Sequence, residues 1–224
     1  MDEREELKKR IDAVRASIGP GVTLLAATKT VSADRINEAI ACGVDAIGEN
    51  RVQELLEKYD SIDRSSVPVH FIGRLQTNKV KYIVDKVDMI QSLDSLKLAE
   101  EIEKRCAAIG RVMDCLVEIN VGEASKGGVP IDEADGFVRS VSAFPHINVR
   151  GLMAVPPKYG ENEKKLQCFR KIYQKFIDIR HEKVDNSNMD ILSVGMSDDY
   201  MQAVACGSNM VRLGTAIFGE RKPK

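Results

Sequence analysis

Short runs rich in valine, isoleucine and leucine alternate along the chain with stretches in which apolar residues recur at helical spacing. The runs are VTLLAAT, DAIGEN, VPVHFIG, VDMIQSL, VMDCLVEIN, INVRGLMAV, MDILSVG and NMVRLGTAIFG, and each but the last leads into a helical segment. Runs that are apolar throughout, without polar alternation, fit parallel strands covered on both faces. Strand–helix alternation of this kind specifies an α/β fold, and about eight such units close a (β/α)8 TIM-type barrel. The 224 residues therefore predict a single barrel domain over 1–224. An open doubly wound sheet is the alternative, weakened because no G-x-G-x-x-G turn follows any of the strands. Ahead of the first strand, Leu7, Ile11, Val14 and Ile18 predict an extra N-terminal helix.

Two segments repeat one another. EAIACGVDAIG (Glu38 to Gly48) and QAVACGSNMVR (Gln202 to Arg212) each read as a helix ending in Ala-Cys, a glycine suited to the left-handed position after the helix, and then a strand. The glycine-rich VGEASKGGVP, Val121 to Pro130, is the expected mobile loop.

Composition narrows the partners. Thirty-three Lys+Arg against 34 Asp+Glu give a net charge of −1, so there is no global basic field to gather nucleic acid or anionic lipid. The charged start MDEREELKKR and the lack of a long apolar run predict a cytoplasmic protein with no membrane span. The five cysteines are widely spaced without a C-x-x-C pair and read as reduced thiols, mostly buried. With only His70, His146 and His181, neither a histidine triad nor a metal cluster is expected, and His70 in its apolar strand reads as a core histidine.

Lys29 stands where the first strand opens into a loop, at the C-terminal face on which barrels carry their chemistry. Such a lysine either snorkels to solvent or pairs with a carboxylate, or else, partly desolvated, offers a neutral amine that attacks an aldehyde. A second region bears on that choice. LSVGMSDDYMQA passes through Gly195 toward a helix whose N-cap would be Ser197, and VRLGTAIFG carries the step Gly214-Thr215. These are the seventh and eighth units, where barrels most often hold a phosphate. Asp198 and Asp199 would repel one, so their side chains are expected to splay outward. Arg212, inside an apolar strand, is expensive to bury without acceptors. An amine on the first strand, a phosphate cradle on the last two and an arginine in the mouth describe a pyridoxal 5′-phosphate site.

TKT at Lys29, GENRVQE at Gly48 to Glu54, HFIGRLQTNK at His70 to Lys79, GLMAV at Gly151 to Val155, SVGMSDD at Ser193 to Asp199 and VRLGTAIFG at Val211 to Gly219 together resemble the pyridoxal phosphate homeostasis protein family. Its members look like the barrel domain of alanine racemase standing alone, and the motifs span nearly the whole chain in order. The resemblance implies that Lys29 carries the cofactor as an internal aldimine, that Ser197, Gly214 and Thr215 hold its phosphate, that Arg212 faces the pyridine nitrogen and that Asn50 lies near the ring. Many members carry a second Lys and a Pro after the first KT, where this chain has Val31 and Ser32, and many have Tyr at the place of Arg51.

A guanidinium can only donate to the pyridine nitrogen, which weakens the ring as an electron sink. Racemisation also needs a base on each face of the α-carbon, taken in the racemases from a second domain; only Glu220 to Lys224 follow Gly219. The expectation is a pyridoxal phosphate carrier that serves apo-enzymes or amino-acid pools without substantial turnover, as a monomer or weak homodimer. The alternatives are a fold-type III racemase or decarboxylase, and a barrel lyase or aldolase using Lys29 without a cofactor. Lys126, in the glycine-rich loop, is a second candidate amine.

Overall fold

The computed structural model describes residues 2–122, 127–157 and 161–220. Its strands are β1 (Thr23–Ala27), β2 (Ala46–Glu49), β3 (Val69–Phe71), β4 (Met89–Leu93), β5 (Met113–Asn120), the two-residue β6 (Val129–Pro130), β7 (Ile147–Ala154), β8 (Ser187–Ser193) and β9 (Met210–Leu213). All pairings are parallel, and the order β4-β3-β2-β1-β9-β8-β7-β5 closes on itself through β4 and β5, with Met89 opposite Asp114 and Ile90 opposite Cys115. The result is a closed eight-stranded barrel, with β6 appended to the edge of β5. Every residue of β2, β4 and β9 is buried, as strands with helices outside and side chains inside require.

The helices around it are α1 (Glu3–Ile18), α2 (Ala33–Ala41), α3 (Val52–Lys58), α4 (Leu96–Ala108), α5 (Ala134–Val141), α6 (Asn162–Glu182), α7 (Tyr200–Ala205) and α8 (Thr215–Phe218). The N-terminal helix starts where Asp2 accepts the Arg4 N–H, carries Glu3, Glu5 and Glu6 in its first turn, and buries Leu7, Ile11, Val14 and Ile18. Ser32 caps α2 by accepting from Arg35. Gly43 and Gly207 take the expected left-handed conformation after α2 and α7, with φ of 97° and 102°. No helix among the described residues is long and apolar enough to cross a membrane.

Inside the barrel, Leu25, Ala46 and Met210 form one apolar layer and Met89, Leu116 and Met153 another. The larger cluster lies between the strands and the surrounding helices. At Gly151, β7 runs so close to β8 that a Cβ would lie 1.8 Å from Ile191 O, and the ladder shifts register at that point.

Two boundaries differ from the sequence expectation. The run VRLGTAIFG ends as a strand at Leu213, and Thr215–Phe218 is a short helix, so the last strand also leads into a helix. Ser197 is not an N-cap: α7 begins at Tyr200 with Asp199 as its cap residue. In the glycine-rich loop, residues 123–126, Lys126 among them, lie outside the described residues.

Candidate cofactor-binding site

The barrel brings the sequence candidates to one end. In the order β2-β1-β9-β8, Ala27 pairs with Gly48 and Ala26 with Leu213. Asn50, Lys29, Gly214-Thr215 and Ser197 therefore follow the C-terminal ends of four consecutive strands, although they are separated by up to 186 positions in sequence.

Lys29 sits in a four-residue turn closed by the Val31 N–H, which donates to Thr28 O at 3.0 Å. Thr30, the third residue of that turn, has φ of 65°. A threonine pays roughly 1–2 kcal/mol for left-handed backbone, so something must hold the turn. Glu54 Oε2 accepts the Thr30 N–H at 2.7 Å, and the Lys58 ammonium donates to Thr28 O and Val31 O. Lys58 also pairs with Glu49, which is completely buried and accepts the Thr28 hydroxyl.

After the neighbouring strands β9 and β8, the backbone amides of Gly214 and Ala216 converge on one atom, Ser197 Oγ, at 3.3 and 3.1 Å. Two amides and a hydroxyl are thus gathered at one point, a donor set whose chemistry suits an anion. Thr215, between those amides, is exposed. Asp198 is exposed, as expected, whereas Asp199 does not splay outward but turns back to accept the Met196 N–H at 2.8 Å.

Arg212 is 5% exposed. Its guanidinium reaches across the ends of two strands, donating to Ser193 O at 2.6 Å, Ser193 Oγ at 2.8 Å and Ala154 O at 2.9 Å. Three of its five donors are thereby engaged. Burial lowers its pKa to about 10, against the opposing pull of Glu118 and Asp199, which leaves it a cation at neutral pH. Burial pushes the Glu118 carboxyl up; Asp94 adds to that, while Arg212 and Arg74 act the other way.

Ser193 continues the chain of bonds. Its hydroxyl donates to Gln91 Oε1 at 2.7 Å, and Gln91 Nε2 donates to His70 Nδ1 at 2.8 Å and contacts Met210 Sδ at 3.2 Å. A buried line of polar groups thus crosses the barrel from Arg212 to His70. Because the Gln91 amide can only donate at that nitrogen, His70 Nδ1 must accept, so the ring is neutral. Burial lowers the His70 pKa from 6.5 to about 4, with Asp88 and Asp114 opposing.

This shift fixes a pH dependence. The unfolded chain binds a proton at His70 below about pH 6.5 and the folded chain only below about 4, so stability falls as pH drops through that window. We expect the unfolding free energy to lose about 2–3 kcal/mol more between pH 7 and 4.5 in the parent than in His70→Gln, measured by urea titration. Equal losses in the two proteins would assign the effect to another group.

The sequence candidates did not include Glu49, Lys58, Gln91 or Ser193. Glu49, Gln91 and Ser193 were detectable as polar residues inside apolar runs; Lys58 carried no such signal. On the same C-terminal face, Arg74, Gln76, Asn78, Asp94 and Ser95 line a cleft of about 830 Å³ beyond the ends of β3 and β4.

The residues fit pyridoxal phosphate by the chemistry of their donors. Converging amides suit a phosphate, an amine on a fixed turn suits an aldehyde, and Asn50 Oδ1 is buried without a hydrogen-bond partner, beside the turn that bears Lys29.

Residues 3–222 match the family described as the alanine racemase N-terminal domain. A pyridoxal phosphate homeostasis protein from Aquifex aeolicus (strain VF5) is 44% identical over 202 residues, 89% of this chain and 87% of that one. The structure of PipY of Synechococcus elongatus PCC7942, with PLP bound, superposes with a TM-score of 0.86 at 29% identity and covers 95% of this chain and 100% of that one. Alanine racemase from Corynebacterium glutamicum shares the fold, with a TM-score of 0.75 at 19% identity, over 96% of this chain and 61% of the racemase.

Proposed function

Because the chain belongs to the family of the alanine racemase N-terminal domain, we propose that it is a pyridoxal 5′-phosphate-binding protein of cofactor homeostasis that holds and delivers the cofactor without substantial amino-acid turnover. The observation that carries this reading is the meeting of an amine, an amide cradle and a buried arginine at the ends of β2, β1, β9 and β8. The naming of the Aquifex relative as a homeostasis protein and the PLP bound to PipY support it.

When bound, the cofactor supplies an aldehyde that condenses reversibly with amines and a ring that can accept electrons. Lys29 is the amine that takes the aldehyde. Ser197, Gly214 and Thr215, with the amide of Ala216, take the phosphate, and Asn50 borders the ring. Arg212 would face the ring nitrogen. A guanidinium there would donate without giving up a proton at neutral pH, which would leave the nitrogen unprotonated and restrain carbanion chemistry. Arg212 is also fixed from behind by Ser193 and Ala154, so it has no freedom to act as a mobile acid. The polar cleft beyond β3 and β4 gives an incoming amine an open approach to the same face.

The test is transfer. Loaded protein is expected to restore activity to an apo-enzyme acceptor, and to racemise alanine or other amino acids no faster than Lys29→Ala over long incubations. Lys29-dependent loss of optical activity at about 1 per second or more, an ordinary enzymatic rate, would replace this reading with that of a racemase.

A further inference from the structure

The support beneath the Lys29 turn is more elaborate than a loop closure needs. The three N–H donors of Lys58 meet three acceptors: Thr28 O at 2.9 Å, Val31 O at 3.1 Å and Glu49 Oε1 at 2.5 Å. The side chain of Lys58 is 12% exposed and that of Glu49 is fully buried. Thr28, also fully buried, donates its hydroxyl to Glu49, with Gly48 O 3.1 Å from the same oxygen. From the same helix as Lys58, Glu54 holds the Thr30 N–H.

Two consequences follow from this geometry. An ammonium that donates three hydrogen bonds has no lone pair left for a carbonyl carbon, so Lys58 is not a second attacking amine. And a buried ion pair is seldom the most stable filling for its space, which directs attention to what the pair holds. It bridges the carbonyls on both sides of Lys29, Thr28 before and Val31 after, and so fixes the direction in which the Lys29 side chain leaves the backbone.

A phosphorylated aldehyde on a rigid ring makes that direction matter. With its phosphate at Ser197 and the Gly214 and Ala216 amides, such a ligand would hold its aldehyde carbon at a set distance from them, and the amine would have to be presented there. We infer that Lys58, braced by Glu49, is a positioning residue that sets Lys29 for capture of phosphorylated aldehydes. This rests on the reading that Lys29 is the capturing amine.

The experiment measures the rate at which Lys29 is modified in cofactor-free protein, read by peptide mass mapping. One reagent is pyridoxal 5′-phosphate trapped with borohydride: the amine nitrogen bonds to the aldehyde carbon, the carbonyl oxygen leaves as water and hydride reduces the C=N bond. The other is acetic anhydride, which has no phosphate to anchor. Lys58→Met is expected to slow the first reaction by about 10- to 100-fold, the scale of an ångström-level misplacement, and to leave the second within about twofold. In the double variant Lys58→Met/Glu49→Gln, which no longer buries a lone carboxylate, the thermal midpoint recovers toward the parent while the first reaction stays slow. Parallel loss of both reactions, or an unchanged first reaction in the folded double variant, overturns the inference. Should neither Lys58 variant fold, Glu54→Gln tests the same turn from its partly exposed edge. There a slowing of the first reaction alone by about two- to fivefold supports the inference and an unchanged rate defeats it. Trapping on a different lysine in the parent would instead remove the reading of Lys29.

Discussion

Lys29→Ala is expected to abolish the near-visible absorption of the loaded protein and to leave no borohydride-trapped pyridoxyl group on the peptide from Ala26 to Arg35. The fold should survive the change. The turn is held by backbone and neighbouring side chains: the Val31 N–H on Thr28 O, Glu54 on the Thr30 N–H, and Lys58 on the two carbonyls. Lys29 is only partly buried, and substitutions outside a packed core or a buried network usually change stability by about 0.5 kcal/mol or less. Without the covalent link, the cofactor retains only the cradle and ring contacts, and its affinity should fall by about 100-fold or more, some 3 kcal/mol. Absorption spectra and equilibrium dialysis against pyridoxal 5′-phosphate measure both effects. A Lys29→Ala protein that remains yellow, with its label on another lysine, would refute the assignment.

The second large effect separates the arginine from the cradle. Ser197→Ala combined with Thr215→Val removes the atom on which the Gly214 and Ala216 amides converge, along with a neighbouring hydroxyl. Cofactor affinity should fall by about 10- to 100-fold, as expected for losing one or two hydrogen bonds to a charged group, while the absorption maximum stays in place. Arg212→Gln should do the reverse, moving the maximum and weakening affinity by less than about tenfold. It also carries a cost in stability that the cradle variant does not. Ser193 O and Ala154 O are buried and accept from the guanidinium, and Glu118 counts it among its neighbouring cations. Removing it strands these groups, at about 3 kcal/mol or more, visible as a lower thermal midpoint. If the cradle variant moves the spectrum and the arginine variant moves mainly affinity, the two roles have been exchanged.

How much of this was legible depends on range. The eight strands could be read because buried parallel strands are continuous apolar runs, and the helix ends at Gly43 and Gly207 because left-handed backbone selects glycine. Lys29 and the Gly214-Thr215 step were legible as polar or flexible residues at the ends of such runs, and Arg212 as a charge inside one. Thr215 to Phe218 was misread because TAIF is apolar and four residues are too few to show a helical period. Ser197 was misread because Ser-Asp-Asp resembles a helix start, whereas its hydroxyl bonds 17 residues ahead, at Gly214. The partners of Lys58 and Gln91 had no local signature. Lys58 stands at helical spacing from Glu54, like any surface pair, and the bond from Ser193 to Gln91 spans 102 positions. Such contacts exist only once the barrel has closed.

The line from Arg212 through Ser193 and Gln91 to His70 bears on how this barrel can change by descent. Each of these side chains satisfies a neighbour on another strand, β9, β8, β4 and β3 in turn. A single replacement leaves a buried donor or acceptor orphaned, a loss of about 1–3 kcal/mol, which is a large share of the stability a domain has to spare. Lineages can cross from this set of four to another chiefly by compensated steps, two positions at a time. Replacing these side chains in compensated pairs is thus expected to cost less stability than replacing any one alone, although they stand as far apart as positions 70 and 212.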